Sequence, residues 1–231
     1  MTEPPASEGP PRGRHAPSGG GARSALRGDV VRIWLASKSP RRKELLAQVG
    51  VAFDVLKLRE GGGRTPDVLE VAEDGEPPLH YVERIARTKA NVGWQSMLSR
   101  RLEVRPVLGA DTEVVLGGEV FGKPSDARAA KAMLTRLAGR THDVVTGVAL
   151  RWQDETHFVM STSKVTIAAL SRAAIASYVA SGEPFDKAGG YGIQGRAAAF
   201  VTRLDGSYSG VMGLPLAETV GLLAKAGFPV P

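Results

Sequence analysis

The stretch VRIWLASKSPRRKELL, residues 31–46, decides how the chain is read. VRIWLA is a short apolar run with β-branched residues, which suits a strand inside a sheet. Directly after it Ser39 stands where a helix N-cap belongs, Pro40 takes the first helical position, and Leu45, Leu46 and Val49 fall on one face. A strand, a tight turn and a helix in immediate succession open an α/β sheet. The turn also carries an electrostatic conflict. Arg41, Arg42 and Lys43 crowd the positive end of the helix dipole, where each cation costs from a few tenths to about 1 kcal/mol. Either this is a solvated basic face, or an anion binds there.

The pattern continues outward from that unit. FDVLK (53–57) reads as a second strand, and LREGGGRTPDVLEVAEDGEPP (58–78) as a long loop of the kind that forms lids. A helix is expected from Leu79 to Leu98, because Leu79, Val82, Ile85, Ala86, Val92 and Met97 trace an apolar stripe at helical spacing, with Lys89 on it. RPVLGADTEVVLGGEVFGK (105–123) gives a hairpin about Gly117 and Gly118, with Asp111 placed just past a strand end. Next come a helix over 125–138 and two alternating strands, 141–152 and 156–168, joined at Gln153 and Asp154. A helix over 172–181, the glycine-rich loop GEPFDKAGGYGIQG (182–195), a strand AAAFVTRL (197–204) and a closing helix LPLAETVGLLAKAG (214–227) complete the order. The expected fold class is α/β, a mixed twisted β-sheet flanked by helices.

Composition bounds the function. The 231 residues suffice for one sizeable α/β domain, and no apolar run approaches the roughly 20 residues of a membrane span. There is no cysteine, which excludes disulfides, thiolate metal sites and a cysteine nucleophile, and fits the cytoplasm as the default compartment. Residues 1–28 are rich in Pro, Gly, Ser and Arg with few large apolar side chains, so this tail is expected to be disordered, ahead of a domain over 29–231. The tail has no apolar stretch of the secretory type. The net charge is +6, but the tail holds four Arg and two Glu, leaving the domain at only +4. Without a dense basic stripe carrying aromatics, stable nucleic-acid binding is not expected.

Several residues are candidates for chemistry. Ser37 and Ser39 offer hydroxyls, and Arg41 and Arg42 offer forked donors, at a helix N-terminus where free backbone N–H groups await an anion. The motif is not a P-loop, since GxxxxGK[ST] is absent. Lys89 and Lys123 are two further cations near element ends; snorkelling and a plain loop lysine are the ordinary alternatives. Asp111 would need a partner, a metal or a water among them; a turn Asp capping its own backbone is the plainer reading. Glu60, Asp67, Glu70, Glu73 and Asp74 lie in the nearby loop as potential second ligands, and spacing does not choose among them. Gln194 presents a planar amide suited to a base edge. His142 and His157 read as satisfied strand histidines, and GxSxG and HExxH are absent.

Taken together, LASKSPRRKELL, VERIARTKA, GADTEVV, FGKPSDARAAKAMLTRLAGRTHDVVTGV, GEPFDKAGGYGIQG and SGVMGLPLAET closely resemble the Maf family, also called septum formation inhibitor proteins, from about Ile33 to Phe228. The resemblance implies a Maf/Ham1 (inosine triphosphatase-like) architecture and a nucleoside triphosphate pyrophosphatase. It further implies a divalent metal cation, Mg or Mn, and a cytoplasmic homodimer. By motif it makes Asp111 the proton acceptor and a candidate metal ligand. Ser37, Arg41, Arg42, Lys89, Thr112, Lys123 and Gln194 become substrate-binding residues. At Arg41, Thr112 and Gln194 the chain is similar to the subgroup preferring dTTP and UTP, which makes pyrimidine triphosphates, and modified ones, the expected substrates. The family's short V-D-E-like acidic element after the second strand is replaced here by the 58–78 loop, so the second metal ligand stays open among Glu60, Asp67 and Glu70. A non-catalytic nucleotide sensor acting in cell division, or an enzyme of the ITP/XTP purine type, are the alternatives.

Overall fold

The computed structural model describes residues 32–59 and 65–228, with Met1 and Val230. The tail reading over 1–28, Met1 apart, and Glu60 as a ligand candidate both lie outside the described residues.

The strand, turn and helix of the opening stretch are β1 (Arg32–Leu35) and α1 (Pro40–Gln48), followed by β2 (Ala52–Val55). Ser39 is the N-cap residue as expected, but its side chain makes no capping bond; the Ser39 N–H instead donates to Ser37 Oγ at 3.2 Å. α2 (Pro78–Ser99) carries the apolar stripe, and β3 (Val107–Leu116) and β4 (Glu119–Phe121) form the hairpin. α3 (Ala127–Leu137) precedes the long pair β5 (Thr141–Trp152) and β6 (Glu155–Ile167). α4 (Arg172–Ala180), three short 3-10 turns over 183–200, β7 (Val201–Asp205), α5 (Tyr208–Met212) and α6 (Leu216–Lys225) close the chain.

The described strands form one mixed sheet in the order β2-β1-β3-β5-β6-β7, with β4 on the end of β3. β1 pairs in parallel with β2 and β3; the other pairings are antiparallel. The two-residue side-chain period of a strand sorts the layers. Gly109 and Val145 face α2, whose Ala86, Ala90, Val82 and Ile85 pack there. On the opposite face Leu108, Ala110, Val148 and Leu150 pack with Leu45 and Leu46 of α1 and Leu222 and Leu223 of α6. Val114 and Val144 meet Leu134 and Leu137 of α3 and Tyr178 of α4. Each fully buried Leu or Ile here is worth about 1.5–3 kcal/mol relative to exposure.

Three expectations need correction. Asp111 does not lie past a strand end. β3 runs unbroken through it, with Asp111 opposite Gly147 of β5, because a helix side chain satisfies the carboxylate from above the sheet. The strand expected over 197–204 begins only at Val201; Arg196–Phe200 is a 3-10 turn closed by Ala198 N–H donating to Gly195 O, which suits the alanine run. The short helix α5 was not anticipated; Ser207 caps it by accepting from the Gly210 N–H. No helix among the described residues is long and apolar enough to cross a membrane.

His142 is buried in β5, and its Nε2 lies 2.7 Å from the Tyr191 hydroxyl. Burial lowers its pKa to about 4. Unfolded chain takes up the proton near pH 6.5 and the native state only near pH 4, so native stability is full above 6.5 and lost as pH falls between those values. The stability advantage of the parent over a His142→Asn variant should therefore shrink from pH 6.5 to pH 4, as read by urea unfolding. A constant difference would refute the neutral buried imidazole.

A cleft of cations and carboxylates at the sheet's centre

A cavity of about 310 Å³ opens where the β1–α1 turn, the middle of β3, α2 and the 183–195 turns converge. It is lined by Ser37, Arg41, Arg42, Glu70, Lys89, Asp111, Thr112, Glu113, Lys123, Asp186 and Lys187, so nearly every sequence candidate meets there.

Arg42 points inward and is buried. Its Nε donates to Gly213 O at 2.8 Å, Nη1 to Ser37 Oγ at 3.1 Å and Nη2 to Thr112 Oγ1 at 3.0 Å. Burial lowers its pKa, while Asp111 and Glu70 pull the other way. These bonds commit three of its five N–H donors, so Arg42 ties the turn to β3 and to the end of α5 with two donors to spare. Thr112 Oγ1 in turn lies 3.0 Å from Thr146 Oγ1, which donates to Gly210 O at 2.8 Å. Thr112 thus belongs to the same buried polar chain as Arg42.

Arg41 turns the other way. Its Nη1 donates to Asp186 Oδ2 at 2.8 Å and its Nη2 to the Asp186 carbonyl at 3.0 Å. Adjacent arginines on one helix turn therefore serve different walls of the cleft.

Lys89, on the apolar stripe of α2, reaches into the site. Its ammonium lies 2.7 Å from Asp111 Oδ1 and 2.9 Å from Glu70 Oε1, with only 12% of the side chain exposed. Among the described residues Asp111 Oδ2 is buried without a hydrogen-bond partner. Glu113, two residues on and so on the same face of β3, likewise has a buried, unpartnered Oε2. Burial first, and then Asp111 beside it, push its carboxyl up to about 8. Burial also works to raise Glu70, but Lys89, Lys123 and Arg42 outweigh it and hold that carboxyl below its usual range. Lys123 is exposed on the cleft rim and makes no ion pair among the described residues.

The loop candidates are now separated. Asp67 is spent on Arg59, accepting from its Nε and its backbone N–H at 2.7 Å each. Among the described loop carboxylates, Glu70 is the one that lines the cleft. Gln194 is exposed and does not line the cavity, although its neighbour Ile193 does. Glu113, Asp186 and Lys187 were not singled out in the sequence. The period-two spacing from Asp111 would have found Glu113, had the strand not been ended at Asp111.

The arrangement suits a polyphosphate. Lysine and arginine side chains surround the space, and Asp111 and Glu113 line it. Among the described residues no three Asp, Glu or His side chains come close enough to form a cation cage. The two orphaned carboxylate oxygens nevertheless fit a hard divalent ion that takes one or two protein carboxylates and completes its shell with phosphate and water.

Comparison with known proteins agrees with this chemistry. A family profile described as "Maf-like protein" matches residues 32–226. A protein of Dechloromonas aromatica named dTTP/UTP pyrophosphatase is 50% identical over 198 residues, covering 86% of this chain and 98% of that one. One of Aromatoleum aromaticum with the same name is 52% identical over 201 residues, covering 87% and 98%. The solved Staphylococcus aureus Ham1 protein overlaps with a TM-score of 0.39 at 16% identity, covering 59% of this chain and 72% of that one, too low a likeness to bear on the argument.

Proposed function

The chain belongs to the Maf-like family, and on that premise we infer that it hydrolyses dTTP and UTP to the nucleoside monophosphate and pyrophosphate. The observation that carries the reading is Asp111, which lines the cation-lined cleft with one oxygen gripped by Lys89 and the other buried and, among the described residues, unpartnered.

The chemistry follows from that geometry. Lys89, Lys123 and the spare donors of Arg42 spread positive charge about the triphosphate, where hydrolysis needs positioning and charge stabilisation above all. Asp111 accepts a proton from a water whose oxygen bonds to the α-phosphorus. The bond from that phosphorus to the bridging oxygen breaks, and pyrophosphate leaves. A divalent cation, Mg or Mn, would be held by Asp111 with Glu113 beside it, and when bound it neutralises charge on the phosphate oxygens. Glu70 pairs with Lys89 and keeps that lysine over Asp111.

The family resemblance also supports a cytoplasmic homodimer, and the mild domain charge speaks against a stable nucleic-acid partner. Pyrophosphate release across dTTP, UTP, GTP and ITP, with Mg or Mn, tests the reading. Pyrimidine triphosphates should turn over fastest. Preference for ITP would make this a purine enzyme, and tight binding without turnover would make it a sensor.

A further inference from the structure

We propose that the turn Glu183–Lys187 is a specificity bracket: Asp186 positions Arg41 and Glu183 positions the 192–196 backbone, whose Ile193 lines the cleft, so one short turn sets two adjoining walls of the site. The inference rests on the reading of the cleft as a pyrimidine triphosphate site and adds residues to which that reading gives no role.

On one side, the bracket fixes a guanidinium. Arg41 meets both the carboxylate and the backbone carbonyl of Asp186, at 2.8 and 3.0 Å. Two contacts on a planar fork fix its orientation as well as its position. The Arg41 side chain is 18% exposed and that of Asp186 57%, so the pair adds little to stability and its consequence is geometric. Asp186 is itself held: its Oδ1 accepts from Lys187 Nζ at 2.6 Å, and the same ammonium donates to Glu183 O at 2.6 Å.

On its other side the bracket grips the loop. Glu183 Oε1 accepts from the Tyr178 hydroxyl at 3.0 Å, and Oε2 accepts from the Arg196 N–H at 2.9 Å. The Glu183 carboxylate lies so close over Gly195 that any Cβ there would overlap it. Gly192 is similarly covered, since a Cβ would sit 2.7 Å from Cε of Lys187. The two glycines flanking Ile193 and Gln194 thus each lie under a charged side chain of the bracket. Moving the turn would move Arg41 and the Ile193 wall together.

The bracket also divides labour between the paired arginines. Arg41 is drawn to the loop wall by Asp186, so phosphate binding is assigned to Arg42, Lys89 and Lys123. A base held between Arg41 and the 192–196 segment would be read by both.

Two near-isosteric variants of the full chain, Asp186→Asn and Glu183→Gln, test this. Values of kcat/KM are measured for UTP, dTTP and GTP, together with dissociation constants for the same nucleotides and thermal melts. We expect each variant to lower the pyrimidine-to-GTP ratio of kcat/KM about tenfold or more, mostly through KM, and Asp186→Glu to restore part of it. Unchanged ratios, or equal losses for all three nucleotides, overturn the bracket, because a merely structural role would weaken every substrate alike. If the parent chain hydrolyses none of them, the activity reading fails on its own. The dissociation constants then decide the bracket by the same ratio.

Discussion

Asp111→Asn should release pyrophosphate from dTTP on the order of a hundred to ten thousand times more slowly than the parent chain, at equal metal and nucleotide, the range for loss of a positioned general base. An amide cannot accept the proton of the attacking water. It also withdraws the charge that holds Lys89 at 2.7 Å, leaving that ammonium to Glu70 alone. The change corresponds to roughly 3–5 kcal/mol of barrier. Circular dichroism and the melting temperature should show an intact fold, since the side chains are close in size and the amide keeps a hydrogen-bonding oxygen. A variant within a fewfold of the parent rate would remove Asp111 from the mechanism, and the proposed chemistry with it.

Gly109→Ala should have the largest effect on the fold. A Cβ at Gly109 would lie 2.5 Å from the Ala90 nitrogen, 2.7 Å from Ala86 O and 3.0 Å from Lys89 Cβ. Two of these are backbone atoms of α2, so the clash is relieved only by lifting the helix off β3. We expect a loss of about 3–5 kcal/mol in urea unfolding, or insoluble protein. Any folded fraction should lose activity beyond its share, because lifting α2 draws Lys89 from Asp111. Gly122→Ala is the control: nothing lies within 4 Å of its Cβ position, and it should change stability by less than about 0.5 kcal/mol. Equal effects of the two substitutions would refute the close helix contact.

Both predictions depend on β3, where the sequence was hardest to read. VLGADTEVVL contains a glycine, an aspartate and a glutamate, each depleted in strands, and the strand expected from sequence stops short of Asp111. In the folded chain each is accounted for by a neighbour distant in sequence. Gly109 makes room for α2, Asp111 meets Lys89 from that helix, and Glu113 looks into the same cleft. Where patterns were local and strongly periodic, as over 79–98, 141–152 and 156–168, sequence and structure agree to within one or two residues. The short helix α5 and the 3-10 turn before β7 were lost because five-residue segments have too few positions to show a period.

The site followed the same division. Ser37, Arg41, Arg42, Lys89, Asp111 and Lys123 are candidates from the residues themselves and Thr112 from the family resemblance, and the cleft collects them all. Gln194 it leaves outside, exposed on the adjoining loop.

The sequence alone determined the order of the longer elements and the cation-rich helix start, because periodicity and capping residues are properties of neighbouring positions. Tertiary structure alone decided that Arg42 is a buried tie while Arg41 is held by Asp186, and that Lys89 is an internal partner of Asp111. It also set Glu113 beside Asp111 with its Oε2 unpartnered among the described residues. Those outcomes depend on which side chains from separate elements share one low-dielectric space, where an unpaired charge is costly and each pairing excludes another. No spacing along the chain encodes that competition.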